Sequence, residues 1–184
     1  MNIESAALLR IWAGGPGSGR HKGFEHPALA GLVSEARKCS TFADFQKDFH
    51  SQIKHGHYYH VTKDPNFQID PHKGPSDASS MGIGGTDKGK LMVTSDLNNW
   101  TSYFGKARPY VAEVDMSNVP RNAYRQVQRG FGNEFMVSDP STAKVAKVMD
   151  RKAALAADRR YHSVLGSRIN SDESLKAFYN YAHS

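Results

Sequence analysis

The sequence predicts an α+β domain built mostly on antiparallel strands. Three observations predict it. Phe42, Phe45, Phe49 and Ile53 recur at spacings of three and four, the period of an amphipathic helix, before any strand pattern begins. From residue 57 to about 150 the period shortens, with Tyr58–Thr62, Leu91–Ser95, Tyr110–Met116 and Phe135–Val137 as brief apolar runs between turn residues. After residue 150 the helical pattern returns. Helices that precede and follow a block of strands, rather than alternating with them, belong to the α+β class.

Residues 1–26 are taken as a flexible arm, because Gly14 to Gly23 is glycine-rich and ordering it costs much backbone entropy. Its Gly19-Arg20-His21-Lys22 does not continue into the Gly-Lys-Ser/Thr of a phosphate loop, and no strand precedes it. Residues 27–56 form a helical lead-in. One helix covers about 27–38 with Pro27 in its first turn, and the next is capped by Ser40 or Thr41, with Asp44 in a capping-box position. A first strand follows at 58–62, then a short extended piece at Phe67–Asp70 and a long loop at 72–89 containing Gly74-Pro75 and Met81-Gly82-Ile83-Gly84-Gly85. A second strand at 91–95 runs into a helix capped by Asp96, with Leu97, Trp100, Tyr103 and Phe104 on one side and Gly105 as its stop. Strands at 110–116 and 135–137 enclose a basic, irregular stretch at 121–133. Residues 143–148 are read as a strand because lysine alternates with apolar residues there. Residues 151–184 are C-terminal helices, one Ala-rich from Asp150 to His162 and one from Asp172 to Ala182.

Bulk properties narrow the function classes. At 184 residues the chain suits one domain with an extension. No apolar run approaches the roughly 20 residues that span a bilayer, so no membrane role is expected. The patch Ala6-Ala7-Leu8-Leu9 is too short for a secretion signal. Cys39 is the only cysteine, which excludes an internal disulfide and a cysteine-built zinc site, and a cytoplasmic setting is the simplest expectation. His50, His55 and His57 cluster but lack the i, i+4 pairing on a helix face that a metal motif uses, so no metal is expected. The net charge is +6, and residues 118–168 carry ten Lys/Arg against four Asp/Glu. That zone suits either a polyanion, such as nucleic acid, or a solvated basic face.

Two polar residues stand out at strand edges: His60 in Tyr58-Tyr59-His60-Val61-Thr62 and Glu134 in Asn133-Glu134-Phe135-Met136-Val137. Polar groups on buried strands are costly unless partnered. Taken singly, His60 also suits a satisfied core histidine and Glu134 a surface strand end. Together with Val93-Thr94-Ser95 leading into the Trp100 helix, Tyr110–Met116, and Glu134 through Pro140, their order resembles the ADP-ribosyltransferase family. The nearest likeness is to its compact bacterial and phage-encoded members, such as the rifampin ADP-ribosyltransferases and bacteriophage head-associated versions. The resemblance spans roughly residues 57–150.

The resemblance implies two small, mostly antiparallel sheets forming a split cleft. It implies transfer of ADP-ribose from NAD, as substrate, to a protein, nucleic acid or small-molecule acceptor. Glu134 would stabilise the oxocarbenium-like transition state, as a carboxylate does in glycoside cleavage. His60 would position the dinucleotide, Thr62 would line the same wall, and Thr94 or Ser95 would support the site. Arg129, with Arg121 and Arg125, would be placed to meet pyrophosphate. The match is mixed at the second strand. The histidine-type branch has a nicotinamide-stacking tyrosine where Met92 or Val93 stands here, and Tyr103 would have to supply that ring. Thr94-Ser95 resembles the arginine-type branch instead, but Gly132 stands where that branch has a second glutamate, which argues against arginine as acceptor. Two other functions fit the same fold. One is a non-catalytic, virion-associated phage head component that meets DNA or capsid subunits through residues 118–168, favoured by the glycine-rich arm. The other is phosphate transfer from RNA, suggested by the basic loop.

Overall fold

The computed structural model describes residues 23–51, 56–71, 89–127 and 133–184. The arm at 1–22, Ile53, His55, most of the 72–89 loop and Arg129 lie outside the described residues. The fold is α+β, with helices at both ends of the described residues and a six-stranded antiparallel sheet between them.

Pro27–Leu29 make a 3-10 turn, with the His26 ring accepting the Ala28 amide, and lead into helix α1, Ala30–Arg37. Helix α2 spans Phe42–Ser51. Thr41 caps it: its hydroxyl accepts the Asp44 amide at 3.2 Å. The strands are β1, Tyr58–Thr62; β2, Leu91–Thr94; β3, Tyr110–Asp115; β4, Tyr124–Gln126; β5, Glu134–Val137; and β6, Lys144–Asp150. Helix α3, Leu97–Phe104, follows β2; α4, Arg151–Arg168, and α5, Asp172–Ala182, close the described chain. Strand β4 falls inside the stretch read as irregular. Its signal is weak because Tyr124-Arg125-Gln126 offers one apolar residue, and pairing with β5 creates the strand. The piece at Phe67–Asp70 is not a strand. The strand at 144–150 and the helix at 172–182 match the expected ones, and the Ala-rich helix runs on to Arg168.

The sheet order is β4-β5-β2-β1-β3-β6. The two expected sheets are therefore joined into one, but by a narrow connection. β2 pairs with β5 from Leu91↔Val137 to Thr94↔Glu134, and β1 pairs with β3 from Tyr58↔Val114 to Thr62↔Tyr110. Between β1 and β2 the register holds a single pair, Tyr59↔Thr94. The sheet is thus two halves, β4-β5-β2 and β1-β3-β6, meeting at one seam.

Both faces of the sheet's central strands are covered, so β1 is buried along its whole length instead of alternating. One face packs Tyr58, Val93, Phe135 and Val137 with Val119 and Tyr124. The other packs Tyr59, Val61, Met92 and Met136 under Leu97 and Trp100 of α3 and Ala154 of α4. A third core lies among the helices. Leu29, Leu32, Ala36 and Phe45 from the lead-in pack on Leu165, Leu175, Phe178 and Ala182, so the two terminal helical segments form one layer. That layer is tied to the sheet by polar contacts. Glu35 of α1 pairs with Lys38 at 2.9 Å and accepts the Tyr124 hydroxyl, while Lys38 also donates to the Met116 carbonyl at 2.7 Å. Asp48 of α2, fully buried, receives the Arg121 guanidinium. Part of the basic zone is therefore spent on internal partners, and Lys147 likewise faces Glu113 at 3.1 Å.

Candidate functional site

The site is built from the seam outwards. β1 and β2 pair at Tyr59↔Thr94, and the next residue, His60, reaches back to β2 with its imidazole. Its Nδ1 lies 2.8 Å from the Met92 carbonyl oxygen. A carbonyl only accepts, so Nδ1 carries the proton and Nε2 is the lone-pair nitrogen. The ring stacks on Phe67, centroids 4.6 Å apart and planes 20° from parallel. Burial pulls the His60 pKa down to about 4, the Met92 bond opposes this, and nearby Arg108 adds to it. The imidazole is therefore neutral at physiological pH.

Arg108 was not legible as a site residue. It follows α3 in the turn after Ala107, is buried, donates to the Val61 carbonyl at 3.1 Å, and lies over the Phe104 ring at 4.1 Å. It thereby fixes the backbone next to His60. The Thr62 hydroxyl accepts the Asp64 amide at 3.1 Å, a local turn contact.

Across the seam, the Thr94 hydroxyl donates to the Asn133 carbonyl at 3.3 Å and accepts the Asp96 amide at 2.9 Å. The Ser95 amide donates to the same Asn133 carbonyl at 3.0 Å, and the Ser95 hydroxyl is buried without a hydrogen-bond partner among the described residues. Asn133 adopts φ 66°, the left-handed region that asparagine tolerates better than most residues. This turn aims its carbonyl at Thr94 and Ser95 and starts β5 at Glu134. The Gly132-Asn133 dipeptide was the available signal for it. Glu134 is 3% exposed and directly opposite Thr94, and its backbone carbonyl accepts the Val127 amide at 2.8 Å.

The register brings some predicted residues together and separates others. Directly paired residues share a face, so Tyr59, Thr94 and Glu134 project to the α3/α4 side. His60 and Thr62 alternate with Tyr59 and project to the other side, where Phe67 packs. The backbones of β1 and β5 are two strand spacings apart, roughly 10 Å. His60 and Glu134 therefore project to opposite faces of the sheet, and the split cleft that the resemblance implies between them is not formed by this register. No ring stands at the second-strand position: Met92 and Val93 are buried, one in each core. Tyr103 is 55% exposed rather than packed beside Leu97 and Trp100, and it meets Phe104 edge-on at 5.0 Å. Among the described residues, no group of three or more His, Cys, Asp or Glu is arranged to hold a metal ion. No described helix is long and apolar enough to cross a membrane.

Compared with protein-family models, with curated proteins and with solved structures, the chain matches none.

Proposed function

We propose that this chain transfers the ADP-ribosyl group of NAD to an acceptor. The observation that carries the reading is the seam register. Thr94 stands opposite both Tyr59 and Glu134, so the strand bearing His60 and the strand bearing Glu134 flank β2 where the two half-sheets are held by one pair. NAD, when bound, supplies a nicotinamide–ribose bond whose breaking leaves positive charge on the sugar. In this reading Glu134 is the carboxylate that stabilises that charge, worth about 3 kcal/mol for one preorganised group. Neutral His60, oriented by Met92, projects to the opposite face, so in this reading it shapes the β1–β2 wall and does not share the sugar's face with Glu134. Thr94 and Ser95 support Glu134 through the shared Asn133 carbonyl.

Replacing Glu134 with glutamine tests it. Nicotinamide release from NAD falls at least about 100-fold while circular dichroism stays unchanged. Turnover equal to that of the parent protein removes Glu134 from its role. A second reading, a non-catalytic phage virion component, is favoured by the packing of Met92 and Val93 into cores where an aromatic ring would be needed. Calorimetry separates the two: no heat with millimolar NAD, and no nicotinamide release, supports the second.

A further inference from the structure

A cavity of about 850 Å³ lies between the helical layer and the β1-β3-β6 half-sheet, lined by residues of α1, α4 and all three strands. Its size falls in the roughly 300–1,000 Å³ range of small-molecule sites, which favour junctions between separately packed bodies. Neither His60, Thr94 nor Glu134 lines it. We propose that this cavity binds a planar, nitrogen-bearing aromatic ring carrying an anionic group, as in a purine nucleoside monophosphate.

Three features point to that chemistry. The first is an aromatic wall. His57 stacks on Tyr161 with centroids 3.9 Å apart, and Tyr59 is buried beside them. The second is a pair of adjacent acceptors. His57 Nε2 lies 3.1 Å from the Ala28 carbonyl, so it carries the proton of the neutral ring. Burial lowers the His57 pKa despite Glu113, which keeps the ring neutral. Nδ1 is then a lone pair, 3.7 Å from Glu113 Oε1. The Tyr59 hydroxyl donates to Nδ1 at 3.4 Å and also meets Asp158, so a ligand N–H takes this place as Tyr59 turns to Asp158. An amino or ring N–H group of a ligand satisfies this acceptor pair. The third is a pair of exposed cations in the lining, which also carries the exposed Asp115. Glu113 is half-buried, whereas Lys147, whose ammonium it holds at 3.1 Å, is 53% exposed, and Arg160 on the neighbouring helix is exposed too. An exposed pair of this kind exchanges readily, which frees Lys147 and Arg160 for an anionic group at the cavity mouth.

Calorimetry on the full chain tests the proposal, with adenosine 5′-monophosphate, adenosine and inorganic phosphate as probes. The monophosphate binds once per chain, adenosine binds about tenfold more weakly for lack of one charge-assisted contact, and phosphate gives no heat. Charge reversal by Lys147→Glu with Arg160→Glu costs the monophosphate at least that factor. Ala146→Trp fills the cavity from an exposed position on β6 and abolishes binding, with near-UV circular dichroism reporting an intact fold. His60→Ala leaves the affinity unchanged. No heat with the monophosphate at millimolar concentration overturns the proposal. So does equal affinity for adenosine, binding that survives both the Ala146 and the charge-reversal variants, or binding lost in His60→Ala, which would put the nucleotide at the seam instead.

Discussion

Replacing Arg121 with alanine removes the counter-ion of a carboxylate that has almost no access to water. The Asp48 side chain is 1% exposed, and both Nε and Nη2 of Arg121 reach its Oδ2 oxygen. Breaking a buried pair by deleting one partner costs about 3–5 kcal/mol, because the remaining charge stays desolvated. The Arg121 side chain is itself 43% exposed. Water entering its place offsets part of that cost, so the expected loss is about 2–3 kcal/mol. For a chain of this size that corresponds to a fall in Tm of about 5–10 °C. Urea unfolding followed by circular dichroism measures it, with Arg125→Ala on the exposed side of β4 as a control that stays within about 0.5 kcal/mol. Adding Asp48→Asn to Arg121→Ala costs less than the sum of the single changes, by about 1 kcal/mol or more. An Arg121→Ala protein within about 0.5 kcal/mol of the parent would refute the view that this pair fastens the helical layer to the sheet.

Two further perturbations follow from the geometry. Gly56 has φ +65°, and a Cβ there would lie 2.5 Å from the Leu32 amide nitrogen and 2.7 Å from its Cα, so Gly56→Ala loses about 3 kcal/mol or more in urea titration; an unchanged midpoint contradicts the close approach of this turn to α1. His60, held at about 4 when folded against an ordinary value near 6.5, takes up its proton more readily in the unfolded chain. Its stabilising effect is therefore complete above pH 6.5 and fades as pH falls towards 4, by up to about 3 kcal/mol. His60→Gln flattens the acid limb of stability against pH by that amount, and identical slopes in parent and variant would show that the imidazole is not held neutral by burial.

Local chemistry carried most of the fold. Thr41 with Asp44, the Phe42/Phe45/Phe49 stripe and the β-branched and aromatic runs each state their structure within a few residues. What the sequence could not convey is set by long-range pairing. β4 exists because β5 supplies its hydrogen bonds, and Arg121 reads as a loop cation until Asp48, 73 residues earlier, is seen beneath it. The strand positions of His60 and Glu134 were legible, but the faces they project to were not. Facing follows from the parity of Tyr59↔Thr94 and Thr94↔Glu134, and no residue type encodes that parity. Tyr103 fits the helical period of its neighbours, yet it lies just beyond the stripe that Leu97 and Trp100 bury.

The shared core of the terminal helical segments has a bearing on synthesis. As the chain leaves the ribosome, α1 and α2 emerge with Leu29, Leu32 and Phe45 facing outward, and their partners Leu175 and Phe178 are translated more than a hundred residues later. Helices of eight and ten residues are marginal alone in water, so the lead-in must wait, partly formed, while the strands are made. This core is completed only when α5 docks onto α1 and α2, which are made long before it. A stalled or shortened nascent chain would leave that greasy surface open to chaperones.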